Sequence, residues 1–294
     1  IGLEACASAH HWARKLAQKG FRVKLIGAQF VKPYVKSNKN DRADAEAICE
    51  AMGRPGMRFV AVKSVAQQDA QAAHRIREEL VNQRTAKANQ IRGLVGEYGI
   101  IAPAGIQQLR RALPDWLEDA ENELTEDFRV LLADLAKDLR YLDDRIAHLD
   151  EQIERSVHND PIARRLLELR GVGPLTASAL AGALGDGRGF AKGRDFAASL
   201  GLTPRQHSTG GKDRLLGISK RGDAYLRKLI IHGARAVLRH AKDRDDGLSR
   251  WLQALIERKH PNVVSVALAN KTARIAWAIV HNDTSYDPML AVNG

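Results

Sequence analysis

The chain has 294 residues, 46 Lys and Arg against 35 Asp and Glu, and a formal charge of +11, with a pI near 9.8. That length accommodates two domains, and the charge points to a polyanionic partner, because clustered cations gain affinity by releasing counterions from phosphates. The two cysteines, Cys6 and Cys49, form no CxxC pair, which excludes a zinc knuckle or a disulfide framework and suits reduced thiols in the cytoplasm. No apolar run approaches the roughly eighteen residues of a membrane span, and no signal peptide is visible. The chain opens at Ile1 without a methionine, in what reads as mid-strand, so a fragment with an amino terminus further upstream is expected.

Residues 1–62 read as α/β. IGLEAC is a short apolar strand, HHWARKLAQKGF a helix ended by Gly20, RVKLIGA a second strand, and Asn40 to Met52 a second helix. Strand, helix and strand at this spacing predict a right-handed crossover and a mostly parallel sheet, whose ligands gather at the carboxyl ends of the strands. Glu4 lies near that end of its strand, and Lys39, Asn40 and Asp41 open the helix after the next one. Asp41 and Asp44, three apart, share a helix face. With Glu4 they offer the hard oxygen ligands that a magnesium-dependent phosphoryl-transfer site needs. The competing assignment makes them helix-start charges stabilised by the dipole.

Residues 63–158 read as almost wholly helical, with a break around GIIAPAG. In the second half Phe128, Leu132, Leu135, Leu139, Leu142, Ile146, Leu149 and Ile153 alternate in steps of four and three, the seam of a coiled coil. The helix over roughly 64–98 carries a weaker stripe of Ile76, Leu80, Ile91, Leu94 and Tyr98. An antiparallel pair that also offers a dimerisation surface is expected, as a spacer rather than a catalytic element.

Residues 159–294 form a second helical region with two nucleic-acid signatures. The first, LLELRGVGPLTASALAGAL, has the helix-hairpin-helix pattern: a helix, a GVG turn, and Pro174 opening the next helix. Gly171 and Gly173 permit close backbone approach, and the free N–H groups of the second helix can hold a phosphate. Plain turns share this pattern. The second, LTPRQHSTGGKDRLLGISKRGDAYLRKLIIHGA, sets Ser208 in a flexible Gly-rich loop flanked by Arg205, His207 and Lys212 and followed by Lys220 and Arg221. A serine attacks phosphorus only when activated, with cations holding the phosphate. On the residues alone Ser208 reads first as a solvated loop hydroxyl, and Ser219 as the N-cap of a helix starting near Lys220.

Several residues take ordinary roles. His10 and His11 read as surface residues of a helix, and Trp12 and Trp277 as core residues in apolar helical patterns. Arg227, Lys228, Arg235 and Arg239 form a basic helix face, for a nucleic-acid backbone or simply for solvent.

Taken together, IGLEAC with its Trp-containing helix, VKPYVKSNKNDRADAEAICEA, LLELRGVGPLTASAL, FAASLGLTPRQHSTGGKDRLLGISKRGDAYLRKLIIHGARA and VALANKTARIAWAIV resemble the DEDD transposases of bacterial insertion sequences, recombinases related to the Piv-type DNA invertase. The resemblance covers nearly the whole chain and keeps the order of the motifs. It implies a RuvC-like, ribonuclease H-like amino-terminal domain with a magnesium-binding D–E–D–D tetrad, here truncated, then the coiled-coil spacer and a helical transposase domain with a serine nucleophile. It also implies guidance by a structured bridge RNA. By motif, Glu4, Asp41 and Asp44 match the last three tetrad members and Ser208 the serine before Gly-Gly. The first aspartate has no counterpart after Ile1, so one metal ligand and the first strands are expected to be missing.

The reading is therefore a bacterial, nucleoid-associated DNA transposase with donor and target DNA, a guide RNA and a homo-oligomeric assembly, dimer or tetramer, and no membrane. Ser208, Glu4, Asp41 and Asp44 are its catalytic residues, and Gly171, Gly173, Arg205, Lys212, Lys220 and Arg221 its nucleic-acid contacts. A metal-dependent nuclease using water and a non-catalytic DNA- or RNA-binding protein are the competing readings.

Overall fold

The computed structural model describes residues 1–36 and 40–288; Lys39 lies outside them. The fold is mostly helical with two small sheets. It divides into two compact units: Ile1–Ala70 together with the chain from Asp160 onward, and Gln71–Asn159.

In the first unit, strands β1 (Gly2–Glu4) and β2 (Lys24–Ile26) are parallel, with Glu4 opposite Ile26. Helix α1 (Ala9–Gln18) joins them, and Gly20 leaves it at φ +85°. A two-residue strand, β3 (Phe59–Val60), adds antiparallel to β2; it is too short for any alternation to be legible. After α2 (Ala28–Val31) comes α3 (Asp41–Met52), capped by Asn40, whose Oδ1 accepts from the Ala43 N–H at 2.8 Å. Ala47 and Ala51 of α3 are buried in one cluster with Ile26 and Val31. These small side chains bring the helix close enough that a side chain at Gly2 would strike Met52.

Helix α1 buries only Ala9 and Ala13. Its outer face carries Trp12, 56% exposed against the expectation of a core tryptophan. His10 is part-buried rather than on the surface, its Nδ1 accepting from the Lys63 N–H at 3.2 Å. Cys6 and Cys49 are free and exposed.

The second unit consists of most of α4 (Val65–Gly96), then α5 (Ile106–Glu118) and α6 (Glu126–Asn159). Ion pairs from Arg77 to Asp150, Arg84 to Asp143 and Lys87 to Asp138 run in opposite directions along α4 and α6, so the two are antiparallel. Phe128, Leu132, Ala136 and Leu139 share a cluster with Ala88, Ile91 and Val95 of α4 and with Leu109 and Leu113 of α5. Leu142 and Ile146 meet Leu80. The seam is thus covered largely within the chain, with Leu135 and Leu149 only half-buried.

The carboxyl-terminal part contains α7 (Pro161–Leu167), α8 (Pro174–Leu184), α9 (Gly193–Ser199), the hairpin β4 (Pro204–Gln206) and β5 (Leu215–Ile218), then α10 (Ala224–Arg239), α11 (Gly247–Ile256) and α12 (Pro261–His281). Pro174 opens α8 as expected. Helix α12 corrects the sequence reading, because by length and composition it could cross a membrane, with mean hydropathy 1.4. Ten of its residues, among them Leu268, Ala273 and Ile279, are nevertheless buried in the protein, and it serves as the core helix of this part. The half-buried Trp277 donates from its indole N–H to the carbonyls of Gly187 and Phe190, both at 3.1 Å.

If the seam closes within one chain, Leu139→Asp or Leu142→Asp will destabilise the protein by about 3 kcal/mol or more, because a charge enters an apolar contact. Urea denaturation will show the loss while light scattering shows an unchanged molar mass. A fall in mass at constant stability would instead place the seam between chains.

Candidate active site

The Ser208 segment is not an irregular Gly-rich loop but a β-hairpin. Its base is fixed where the end of α9 crosses the start of α10. The Lys220 N–H donates to the Gly201 carbonyl at 3.1 Å, Ser219 to Thr203 at 2.8 Å and Asp223 to Ser199 at 3.1 Å. The Arg227 guanidinium donates to the Leu200 carbonyl at 2.8 Å. The crossing requires two glycines. Gly201 (φ +69°) faces the Arg221 backbone, and Gly222 (φ +93°) faces the Ser199 carbonyl so closely that any Cβ would collide. Helix α10 begins at Ala224, with Asp223 as its cap accepting from the Leu226 N–H at 2.9 Å. Ser219 therefore does not cap a helix near Lys220; its hydroxyl oxygen accepts a long bond from Arg221 N–H at 3.4 Å.

At the far end, Thr209–Gly210–Gly211–Lys212 makes a two-residue turn. Gly210 and Gly211 have φ of +55° and +75°, and the Lys212 N–H donates to Thr209 at 3.1 Å. Consecutive positive φ values match the twist of the flanking strands, the reason Gly-Gly is favoured there. That turn makes Ser208 the cross-strand neighbour of Asp213. The Ser208 hydroxyl donates to Asp213 Oδ1 at 2.8 Å, and Gln206 Nε2 donates both to Ser208 Oγ (2.8 Å) and to Asp213 Oδ1 (3.0 Å). Sequence reading missed Gln206 and Asp213. The signal was present, since a Gly-Gly turn at 210–211 pairs 208 with 213.

Every residue from Pro204 to Leu215 is exposed, as are Lys220 and Arg221. Strand alternation sets Gln206 and Ser208 on one face and His207 on the other, while Arg205 lies at a register irregularity between Pro204 and Gln206. Of the basic face read on α10, Arg227 is consumed by Leu200, Arg235 reaches Asn262 Oδ1 at 3.5 Å, and Lys228 lies 5.3 Å from the Tyr225 ring centroid.

Glu4 ends β1, half-buried; Asp41 is exposed and Asp44 half-buried in the first turn of α3. Among the described residues no three His, Cys, Asp or Glu side chains are gathered closely enough to hold a metal ion. The chemistry of these carboxylates suits a hard cation, but their placement does not form its site.

The GVG turn is built into the fold. Gly171 (φ +80°) faces the Gly233 carbonyl, which an added Cβ would meet at 2.7 Å. The close backbone approach expected of Gly171 is therefore made to α10. Gly173, the residue before α8, faces open space. Arg170 anchors the turn, with Nη1 donating to both carboxylate oxygens of Asp246 at 2.7 and 2.8 Å. Burial pushes the Asp246 carboxyl up, but the Ser249 backbone N–H and hydroxyl and the Arg170 charge outweigh it and hold it below its ordinary value. A cavity of about 620 Å³ is lined by Lys192, Arg194, Lys271, Arg274, Trp277 and Tyr286 among others. Burial first, then the Arg274 charge, lowers the Lys271 pKa there.

Residues 163–248, which contain the whole serine hairpin, match the family model described as "Transposase IS116/IS110/IS902 family". Residues 1–100 match a second transposase model, that of the DEDD transposases of the IS110 kind. A probable family 20 transposase of Pseudomonas aeruginosa is 53% identical over 98% of this chain and 86% of its own length. The chain belongs to this transposase family. The transposase for insertion sequence element IS1328 of Yersinia enterocolitica is 44% identical, over 97% of this chain and 85% of its own. That for IS1111A of Coxiella burnetii is 46% identical, over 97% and 79%. As a transposase the protein is an enzyme that acts on DNA, and DEDD transposases generally use divalent metal ions.

Arg170→Ala in this transposase will cost about 1 kcal/mol, since it removes an ion pair from a half-exposed carboxylate that keeps its bonds to Ser249. Because the folded-state pKa of Asp246 is lowered, its stabilisation is present above the ordinary carboxylate pKa and fades as pH falls below about 4. Thermal unfolding across pH checks this: the gap between parent and variant should narrow in acid.

Proposed function

We propose that this transposase breaks and rejoins DNA by covalent catalysis from Ser208. The observation that carries the reading is the Ser208 hydroxyl, 2.8 Å from the Asp213 carboxylate on an exposed hairpin that also bears Arg205 and Lys212. Ser208 Oγ attacks the phosphorus and the bond to the departing strand breaks. One phosphodiester becomes a phosphoserine diester, which keeps the bond energy for rejoining. Lys212, Lys220, Arg221 and Arg205 attract the DNA backbone.

The amino-terminal region, in this reading, is a RuvC-like domain over residues 1–62, followed by the spacer over 63–158 and the transposase domain over 159–294. Glu4, Asp41 and Asp44 are its magnesium carboxylates, drawn together only when the DNA complex assembles; magnesium bound there would offset phosphate charge. The GVG turn acts as a helix-hairpin-helix, with the phosphate at the exposed Gly173 side, while Gly171 shapes the turn. A structured guide RNA and a second or further copies of the chain complete an assembly that acts at the bacterial nucleoid. The resemblance to bridge-RNA-guided recombinases and the charge of +11 support these partners.

Asp41→Asn and Asp44→Asn are each expected to reduce strand cleavage by at least about a hundredfold, since each removes a metal ligand, while nucleic-acid binding persists. Labelled DNA of the element's ends, incubated with the element's RNA and magnesium, provides the assay. Cleavage at the parental rate by either variant would remove the metal reading. Cleavage at the parental rate by Ser208→Ala would mark a nuclease that uses water.

A further inference from the structure

We infer that Asp213 is the proton acceptor for Ser208, with Gln206 as the side chain that orients the pair; the inference rests on Ser208 being the nucleophile. The three groups form a closed triangle. Gln206 Nε2 donates to Ser208 Oγ at 2.8 Å and to Asp213 Oδ1 at 3.0 Å, while Ser208 Oγ donates to Asp213 Oδ1 at 2.8 Å. Because Gln206 occupies an Oγ lone pair, the hydroxyl proton is directed at the carboxylate. A neutral serine hydroxyl is a weak nucleophile and needs an adjacent base within hydrogen-bond reach. Asp213 meets that geometry, whereas His207 lies on the opposite strand face by alternation.

The arrangement is held by backbone rather than by chance side-chain contact. The Gly210–Gly211 turn fixes 208 opposite 213, the His207 N–H donates to the Arg214 carbonyl at 2.9 Å, and Gln206 pairs with Leu215. Proton acceptor and nucleophile therefore travel as one unit on the hairpin, wherever in the assembly the scissile phosphate is held.

In the forward step the Oγ–H proton passes to Asp213 Oδ1, the Oγ–P bond forms and the P–O bond to the departing deoxyribose breaks. The departing oxygen takes a proton from water. In rejoining, a DNA hydroxyl attacks the phosphoserine phosphorus and releases its proton to water. The Oγ–P bond then breaks, and Asp213 returns its proton to Oγ.

The test compares the parent with Asp213→Asn, Asp213→Glu and Ser208→Ala as full chains. It uses labelled DNA of the element's ends with the element's RNA, and reads the covalent protein–DNA species on denaturing gels and complex formation on native gels. Asn keeps the hydrogen bonds but accepts no proton. Asp213→Asn is expected to form adduct at least about a hundredfold more slowly, with Asp213→Glu recovering a tenth or more of the parental rate, and both binding DNA as the parent does. An Asp213→Asn rate within about threefold of the parent, equal losses in Asn and Glu, or a parallel loss of DNA binding would overturn the inference. Adduct that is lost in Ser208→Ala but unchanged in Asp213→Asn removes Asp213 alone. Adduct that persists in Ser208→Ala removes the serine reading with it.

Discussion

The position of the serine hairpin depends on one backbone crossing. Gly201 and Gly222 let the end of α9 and the approach to α10 pass so closely that neither tolerates a Cβ, and three backbone hydrogen bonds together with Arg227 lock them there. Helices α9 and α10 both pack against α12, ten of whose residues are buried, so the hairpin grows from a well-packed base. An exposed arm on a rigid base suits a group that must meet a substrate held elsewhere, since the base sets the direction while the arm stays accessible. The same close-packing device recurs at Gly171 and Gly233, where the turn before α8 meets α10 backbone to backbone.

Long periodic elements were legible in the sequence. The stripe on α6 marked its buried face, because apolar spacing over several turns is set by burial. On α4, by contrast, only Leu80 and Ile91 of the expected stripe are buried; Ile76 and Leu94 are exposed, and Ala88 and Val95 complete the face. Which surface the seam would cover was not legible. Periodicity states that a partner is needed and is silent on whether it belongs to the same chain. Short elements were lost for a related reason: β3 has two residues, and local pattern gives no handle on a pairing fixed by a distant strand. Trp12 misled because α1 buries itself through two alanines, so its largest apolar side chain faces outward.

The site was legible in part. Ser208 drew attention through its basic neighbours, yet the residues that hold its hydroxyl, Gln206 and Asp213, became visible only once Gly210–Gly211 was seen as a two-residue turn. Two consecutive glycines suit a mobile loop as well as a tight turn, and the pairing of 208 with 213 follows only from their positive φ. The carboxylates show the opposite case. Glu4, Asp41 and Asp44 were conspicuous in sequence, and Asp41 and Asp44 sit where a helix dipole welcomes them, but the described residues do not draw them into a metal-binding group.

The most direct test of the account is chemical identification of the residue that carries DNA. A reaction of the full chain with its nucleic acids, stopped in denaturant, digested with nuclease and protease and analysed by mass spectrometry, reports that residue without any substitution. The account predicts a nucleotide on the peptide containing Ser208, at its hydroxyl. A nucleotide on Thr209 or Ser219, or strand transfer without any protein-linked nucleotide, would contradict it.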